Sequence, residues 1–313
     1  MHTTSLETAL LGKTKTTTTP TIGVVGLGHM GGAMAARLLA AGYAVHGMNR
    51  TRRRAEELIA GGLQWHDTPC EVAAASDVVL TSLPDDNGLA GAASGPAGIL
   101  TGLRARTTWV DLSTVSPTAS REMAVRVRAA GATMLDAPVS GSVPQVRART
   151  LTIMVGGDAA AYDRVEPVLR ELGTPTHVGA NGQGLVLKLA VNISLAVQML
   201  AFAEGLLLAT RAGLDRELVL DVMTTSAIGS PMLKARAPLI FNPPDEAWFS
   251  LGLMRKDVEL ARDTADGLGV PLPTAERADE VLGLARALGY EGRDLAALFE
   301  VLEQAAREQR TVT

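Results

Sequence analysis

Short apolar runs alternate with helix-forming stretches through the first half of the chain. Residues 21–25 are β-branched and end in glycines, which predicts a strand, and residues 30–41 carry helix formers and close at Gly42. The alternation continues with a strand over 44–48 and a helix over 52–60 that stops at Gly61 and Gly62. Residues 77–83 (DVVLTSL) are almost continuously apolar, the pattern of a parallel strand covered on both faces, and the run ends at Pro84. Residues 108–112 repeat it, with Pro117 near the next helix start. Residues 133–136, 151–155 and, more weakly, 176–178 complete the strands. Strands separated by helices of about 10–15 residues predict βαβ units and a parallel sheet.

Beyond Gly184 the pattern changes. Residues 185–212 predict one long helix, followed by helices over 216–225, 252–268, 274–288 and 295–309. The fold class is therefore α/β: an N-terminal Rossmann doubly wound sheet plus an all-α C-terminal domain, joined by a long interdomain helix. Residues 1–20 read as a flexible tail, 21–181 as a dinucleotide-binding domain, and 182–313 as a helical substrate and dimerisation domain. A length of 313 residues agrees with about two domains.

Charge and cysteine content narrow the function classes. The net charge is −4 with no long basic block, so the field that nucleic acid or an anionic membrane requires is missing. A small anionic substrate stays compatible, because a pocket can be locally basic inside an acidic protein. Cys70 is the only cysteine, so no intramolecular disulfide forms, which fits a reducing, cytoplasmic setting. Residues 9–11 are too short for a secretory apolar region. Lys188, Asn192, Gln198 and Glu204 interrupt the most apolar stretch, which argues for a buried helix and against a membrane span. No metal is expected.

Gly26, Leu27, Gly28, His29, Met30 and Gly31 spell G-x-G-x-x-G between a predicted strand and helix. In that context the first glycine permits the tight turn, the second lets the backbone approach a pyrophosphate, and the third lets helix and strand pack closely. The next strand ends in Asn49, Arg50 and Thr51, without the carboxylate that holds the ribose 2′-hydroxyl of NAD. Arg50 can pair with a 2′-phosphate, so NADP is preferred and NAD remains possible. Arg52, Arg53 and Arg54 read as the exposed start of a helix.

Lys188 and Asn192 lie at i and i+4 on a helix that is apolar all round. A buried ammonium is costly and needs a reason. Because this helix starts at the predicted domain boundary, Lys188 is a candidate proton donor in the interdomain cleft and Asn192 a candidate positioner. Gly182 and Gly184 permit a close backbone approach or a hinge. DAPVSG (136–141) ends a strand where ligands bind in open α/β sheets. Lys256 and Asp257, taken alone, read as a surface pair.

Together these residues resemble the beta-hydroxyacid dehydrogenase family, from residue 21 to about 268. GLGHMG (26–31), DAPVSG (136–141) with TLTIMVGGD (150–158), GQGLVLKLAVN (182–192) and MRKDVELA (254–261) carry the resemblance, with SLPD (82–85) and DLSTVSP (111–117) beside them. The resemblance implies a catalytic role for Lys188 with Asn192 as its partner, and a substrate-carboxylate turn at Ser140 and Gly141. It implies that Lys256 closes over cofactor and substrate, that Leu83, Pro84 and Thr114 touch the cofactor, and that the long helix builds a homodimer. The expected reaction is hydride transfer between nicotinamide and a small carboxylate-bearing aldehyde, oxo acid or hydroxy acid. The family pattern SGG-x-x-G-A-x-x-G is broken here by Ser142, Gln145 and Arg149, so the loop beside the substrate should be stiffer and bulkier. Imine reductases share the fold but usually replace the catalytic lysine, so Lys188 argues against that alternative. A silent NADP-binding protein, the other alternative, has no need of a buried lysine.

Overall fold

The computed structural model describes residues 19–311, so the tail expected over 1–20 falls almost wholly outside the described residues. Among the described residues nine strands form one sheet: β1 Ile22–Val25, β2 Val45–Met48, β3 Gln64–Trp65, β4 Val78–Thr81, β5 Thr108–Asp111, β6 Thr133–Asp136, β7 Val139–Ser140, β8 Leu151–Gly156 and β9 Gly173–Gly179. Their order is β3-β2-β1-β4-β5-β6-β8-β7, with β9 also paired to β8. The first six run parallel in the doubly wound arrangement. Strand β8 departs from the expected all-parallel sheet, running antiparallel to β6 and β7. The connection over 141–150 holds only one short helix, and a parallel return needs a longer crossover.

The helices of the first half are α1 His29–Ala40, α2 Glu56–Ala60, α3 Pro69–Ala74, α4 Asp86–Ala93, α5 Ile99–Gly102, α6 Pro117–Ala129, α7 Val143–Ala148 and α8 Ala159–Arg170. They cover both faces of the sheet with two apolar layers. One is built on Ile22, Leu38, Val110 and Ile153, the other on Val25, Val79, Trp109 and Met134. The three residues that break the glycine pattern lie at the two ends and in the first turn of α7. At its start the Ser142 N–H donates to Gln145 Oε1 at 2.9 Å, a bond that a glycine at 145 cannot accept. Arg149 ends it in the left-handed conformation at φ 60°, a position that favours glycine, and pairs with Glu171 at 3.1 Å. The expected stiffer, bulkier loop is thus a capped helix.

The second half is helical: α9 Gln183–Arg211, α10 Arg216–Thr225, α11 Pro231–Arg236, α12 Leu251–Asp266, α13 Pro273–Ala287 and α14 Leu298–Thr311. Their shared core contains Met199, Phe202, Leu233, Met254, Leu282 and Val301. By length and composition α9 could cross a membrane. Its buried stripe, however, runs from Leu185 through Leu189, Ala196 and Ala203 to Leu206 and packs into the protein.

Asp136 fixes the start of α9 on the sheet. Its two carboxylate oxygens accept the backbone N–H groups of Gly182 (2.7 Å) and Leu185 (3.2 Å), which the first turn of a helix leaves free. Burial pushes the Asp136 carboxyl up, against these hydrogen bonds. Gly184 sits so close that a Cβ there would lie 2.3 Å from the Met154 carbonyl oxygen. Of the two readings of Gly182 and Gly184, the close backbone approach is the one observed.

Candidate active site

The chain turns from β1 to β2 on one side of the sheet and resumes at β4 on the other. The carboxyl ends of β1 and β4 therefore diverge, and ligands bind at such a point. A cleft of about 1650 Å³ opens there and runs to α9, α11 and α12. Gly26, at φ 96°, makes the turn after β1, and a Cβ on it would meet the Ser82 carbonyl oxygen at 2.3 Å. Gly28 is the N-cap of α1, with no side-chain cap and no acidic residue in the first turn. A Cβ on Gly28 would meet nothing within 4 Å, so its backbone faces open cleft. Free N–H groups, an open approach and the helix dipole suit a pyrophosphate, so the residues present fit a dinucleotide.

The loop residues divide by role. Gly26, Gly28, His29 and Met30 line the cleft, whereas Leu27 and Gly31 do not. Leu27 is buried in the sheet core, and its N–H donates to Asn49 Oδ1 at 3.1 Å. At Gly31 a Cβ would lie 1.9 Å from the Gly26 carbonyl oxygen, so this residue serves close packing alone. Asn49 holds the turn from both sides, because its Nδ2 donates to the Thr51 carbonyl at 3.1 Å. Asn49, Arg50 and Thr51 line the cleft, and so does Arg54. Arg52, Arg53 and Arg54 are the exposed start of a helix, as expected, and Arg54 also lines the cleft. Residues Arg52–Ala55 form a 3-10 turn, and Arg52 lies over the Trp65 ring.

Leu83, Pro84 and Thr114 also line the cleft. The Leu83 N–H donates to Ser113 Oγ at 2.9 Å. Ser113 Oγ donates in turn to Asp111 Oδ1 at 2.6 Å, as does Thr81 Oγ1 at 2.7 Å. Asp111 is fully enclosed and burial pushes its carboxyl up. Ser140 and Gly141 face the same cleft, with Gly141 at φ 128°. A Cβ on Gly141 would press Leu151 Cδ2 at 2.7 Å, so the turn accepts only glycine without a shift.

Across the cleft, Lys188 is 7% exposed and Asn192 1%. The Lys188 ammonium donates to Asn192 Oδ1 at 2.8 Å. The Asn192 amide donates to Asp257 Oδ2. Asp257 is itself 1% exposed, so the expectation of a surface pair with Lys256 is wrong. Its Oδ1 lies 3.0 Å from Lys256 Nζ in an ion pair without aligned hydrogen-bond geometry. Lys256 Nζ donates to the carbonyls of Pro84 (2.9 Å) and Thr114. A continuous polar chain thus runs from Lys188 through Asn192, Asp257 and Lys256 to the loops after β4 and β5. Sequence reasoning missed Asp257, although it stands beside Lys256 in MRKDVELA.

Burial pulls the Lys188 ammonium from 10.5 down to about 8, opposed by the Asp257 charge and reinforced by that of Lys256. At about 1.4 kcal/mol per pH unit, that shift costs the charged form about 3 kcal/mol. An amine that titrates near neutral pH is suited to give and take a proton. Arg50, Arg54, Lys188, Arg236 and Lys256 line the cleft against only Asp85 and Asp257. The cleft is therefore locally basic in a chain of net charge −4, as the sequence allowed.

A doubly wound sheet with a glycine turn at its switch point, facing a buried titratable lysine, defines a nicotinamide-dependent oxidoreductase. Two family models agree. One described as the NAD binding domain of 6-phosphogluconate dehydrogenase matches residues 21–182. One described as NAD-binding of NADP-dependent 3-hydroxyisobutyrate dehydrogenase matches 182–302. The chain is 35% identical over 285 residues to 2-(hydroxymethyl)glutarate dehydrogenase of Eubacterium barkeri, covering 90% of this chain and 95% of that one. It is 32% identical to the solved Mycobacterium tuberculosis 3-hydroxyisobutyrate dehydrogenase with L-serine, at a TM-score of 0.80 over 91% of this chain and 99% of that one. An imine reductase from Pseudomonas sp. is 25% identical at a TM-score of 0.58, covering 91% of this chain and 100% of that one. The chain belongs to the beta-hydroxyacid dehydrogenase family of NAD(P)-dependent oxidoreductases acting on hydroxyl groups.

Proposed function

We propose that this enzyme interconverts a small 3-hydroxy acid and its aldehyde or oxo acid, using NADP(H) in preference to NAD(H), with Lys188 as the proton-transferring group. The observation that carries the reading is the Lys188 ammonium, buried in the cleft wall and held by Asn192, where burial pulls it down to about 8. The cofactor, when bound, supplies or accepts the hydride. The first turn of α1 and Gly28 would hold its pyrophosphate, while Arg50 and Arg54 would hold a 2′-phosphate.

Ser140 and the Gly141 N–H receive the substrate carboxylate. In the reducing direction Lys188 gives its proton to the oxygen as the carbon accepts hydride. In the oxidising direction neutral Lys188 takes the hydroxyl proton. Asn192 aims the ammonium, and Asp257 aims Asn192 by taking its amide N–H. Lys256 ties this chain to the Pro84 and Thr114 carbonyls and so keeps water from the reacting atoms.

The 3-hydroxy acid class is favoured because the two relatives above carry names of 3-hydroxy acids, and L-serine accompanies one of them. An imine reductase reading has less support, with its lower similarity and with Lys188 present. The helices also support a homodimer. Leu208 is 74% exposed, and Leu214, Leu218, Val222 and Ile228 are each more than half exposed, which leaves an apolar face around the end of α9 and α10 for a second copy to cover. A reducing, cytoplasmic setting is consistent with the single Cys70. The test is turnover of 3-hydroxyisobutyrate, L-serine, short semialdehydes and cyclic imines with each cofactor. Oxidation of the hydroxy acids supports the reading, and turnover of imines alone contradicts it.

A further inference from the structure

Four of the five cations that line the cleft have work in the reading above: Arg50 and Arg54 at the ribose, Lys188 and Lys256 at the reacting centre. Arg236 has none. It ends α11 and is 6% exposed. Its Nη1 donates to Asp294 Oδ1 at 2.7 Å. That carboxylate is shared with three backbone donors. The N–H groups of Trp248 (2.9 Å) and Phe249 (3.2 Å) reach Oδ2, and that of Ala296 (3.1 Å) reaches Oδ1. The ion pair therefore holds the loop before α12 in place.

It does not use up the guanidinium. Arginine offers five N–H donors in a fixed fork, and Arg236 makes no other hydrogen bond among the described residues. None of its nitrogens is enclosed without a partner. Its Nε and Nη2 are therefore not fully enclosed. Arg236 lines the main cleft and not the small cavity beside Asp294. Met232, Trp248 and Phe249 frame this part of the wall with apolar surface. A planar donor fork beside apolar side chains matches a carboxylate, which it can bind through two parallel hydrogen bonds.

We propose that Arg236 is a second carboxylate-binding site, distinct from the turn at Ser140 and Gly141, and that the preferred substrates are dicarboxylates. They are 3-hydroxy acids, or their aldehydes, whose C2 side chain ends in a second carboxylate. This rests on the function proposed above for the substrate class, but the recognition step can be measured without turnover.

The experiment has two arms. In the first, the protein saturated with NADP⁺ is titrated by calorimetry with unreactive C2-methyl diacids whose second carboxylate stands one, two or three methylenes away. Each is paired with the amide in which only that second carboxylate is neutralised. In the second, oxidation of the matching 2-(hydroxymethyl) diacids and their amides is followed with NADP⁺. At one chain length the diacid is expected to exceed its amide by at least about tenfold, in affinity and in kcat/KM. The ratio within each variant is expected to fall below about threefold in Arg236→Gln and to take an intermediate value in Arg236→Lys, where a point charge replaces the fork. A wild-type ratio near one at all three lengths overturns the proposal whether or not either variant folds. So does an unchanged ratio in folded Arg236→Gln. Diacid-selective binding without oxidation of any hydroxy acid would leave the second site standing and overturn the proposed function. Oxidation without selectivity would do the reverse.

Discussion

Lys188 and Asn192 stand one helical turn apart on α9, and the lysine ammonium donates to the asparagine carbonyl oxygen across 2.8 Å. The amide orientation is fixed from the other side. Asp257, when ionised, can only accept a hydrogen bond, so it takes the Asn192 Nδ2–H and turns Oδ1 toward Lys188. A hydrogen bond to a charged group contributes about 1.5–3 kcal/mol, and about 1.4 kcal/mol is tenfold in rate. Asn192→Ala is therefore expected to lower kcat by roughly 10- to 100-fold, with a smaller change in NADPH affinity. Steady-state kinetics with a separate binding titration checks this, and equal losses in both would make Asn192 a general structural residue.

The pH profile follows from Lys188. With the ammonium titrating at about 8, reduction requires the protonated form. Its kcat/KM is expected to be level below about 8 and to fall above it. Oxidation requires the neutral amine and is expected to rise toward the same point and then level off. Since Asp257 raises the Lys188 value, Asp257→Asn should move both breaks to lower pH. The measurement is kcat/KM in both directions across neutral to alkaline pH. A break that stays in place or moves up in Asp257→Asn would contradict the electrostatic link.

Cofactor choice is expected to depend on two arginines. Arg50→Ala and Arg54→Ala should each weaken NADPH by roughly 10- to 100-fold, the value of a lost charged hydrogen bond, while changing NADH by a few-fold. Fluorescence titration of both cofactors separates these outcomes. A parallel loss of NADH would place the two side chains elsewhere than at the 2′-phosphate.

Much of this was legible in the sequence, and the rest was hidden for physical reasons. The doubly wound order needs only the alternation of short apolar strands with helices. The helix over Arg216–Thr225 agrees to the residue because Asp215 caps it and Thr225 is followed by a non-helical Ser226. The short helices α3, α4 and α5 carry too few turns to show a period, and α8 contains Pro167. The reversal at β8 depends on pairing, which no local pattern encodes. Within the site, spacing along one helix was enough to pair Lys188 with Asn192. Asp257 and Arg236 come from other helices, and their burial, which gives them meaning, is a property of the packed molecule. Arg54 was visible as a charge but not as a cleft residue, because which exposed side chains border a cleft is a property of the packed molecule.

The apolar face around α10 predicts association. Sedimentation at micromolar concentration is expected to give a dimer, and Leu218→Glu with Val222→Glu is expected to shift it toward monomer. A wild-type monomer would leave Leu208, Leu218 and Val222 without the cover proposed for them.

The most direct test of the proposed chemistry is Lys188→Ala. General acid–base catalysis by a positioned side chain is worth about 10²–10⁴-fold, so kcat on the best hydroxy acid should fall by that factor while NADPH affinity stays within a few-fold. Lys188→Arg should not restore it, because a guanidinium keeps its proton and differs in shape. A deuteride isotope effect on the wild type establishes that hydride transfer limits the rate. With that effect present, a loss of less than tenfold in Lys188→Ala would contradict the role of Lys188 as the proton-transferring group.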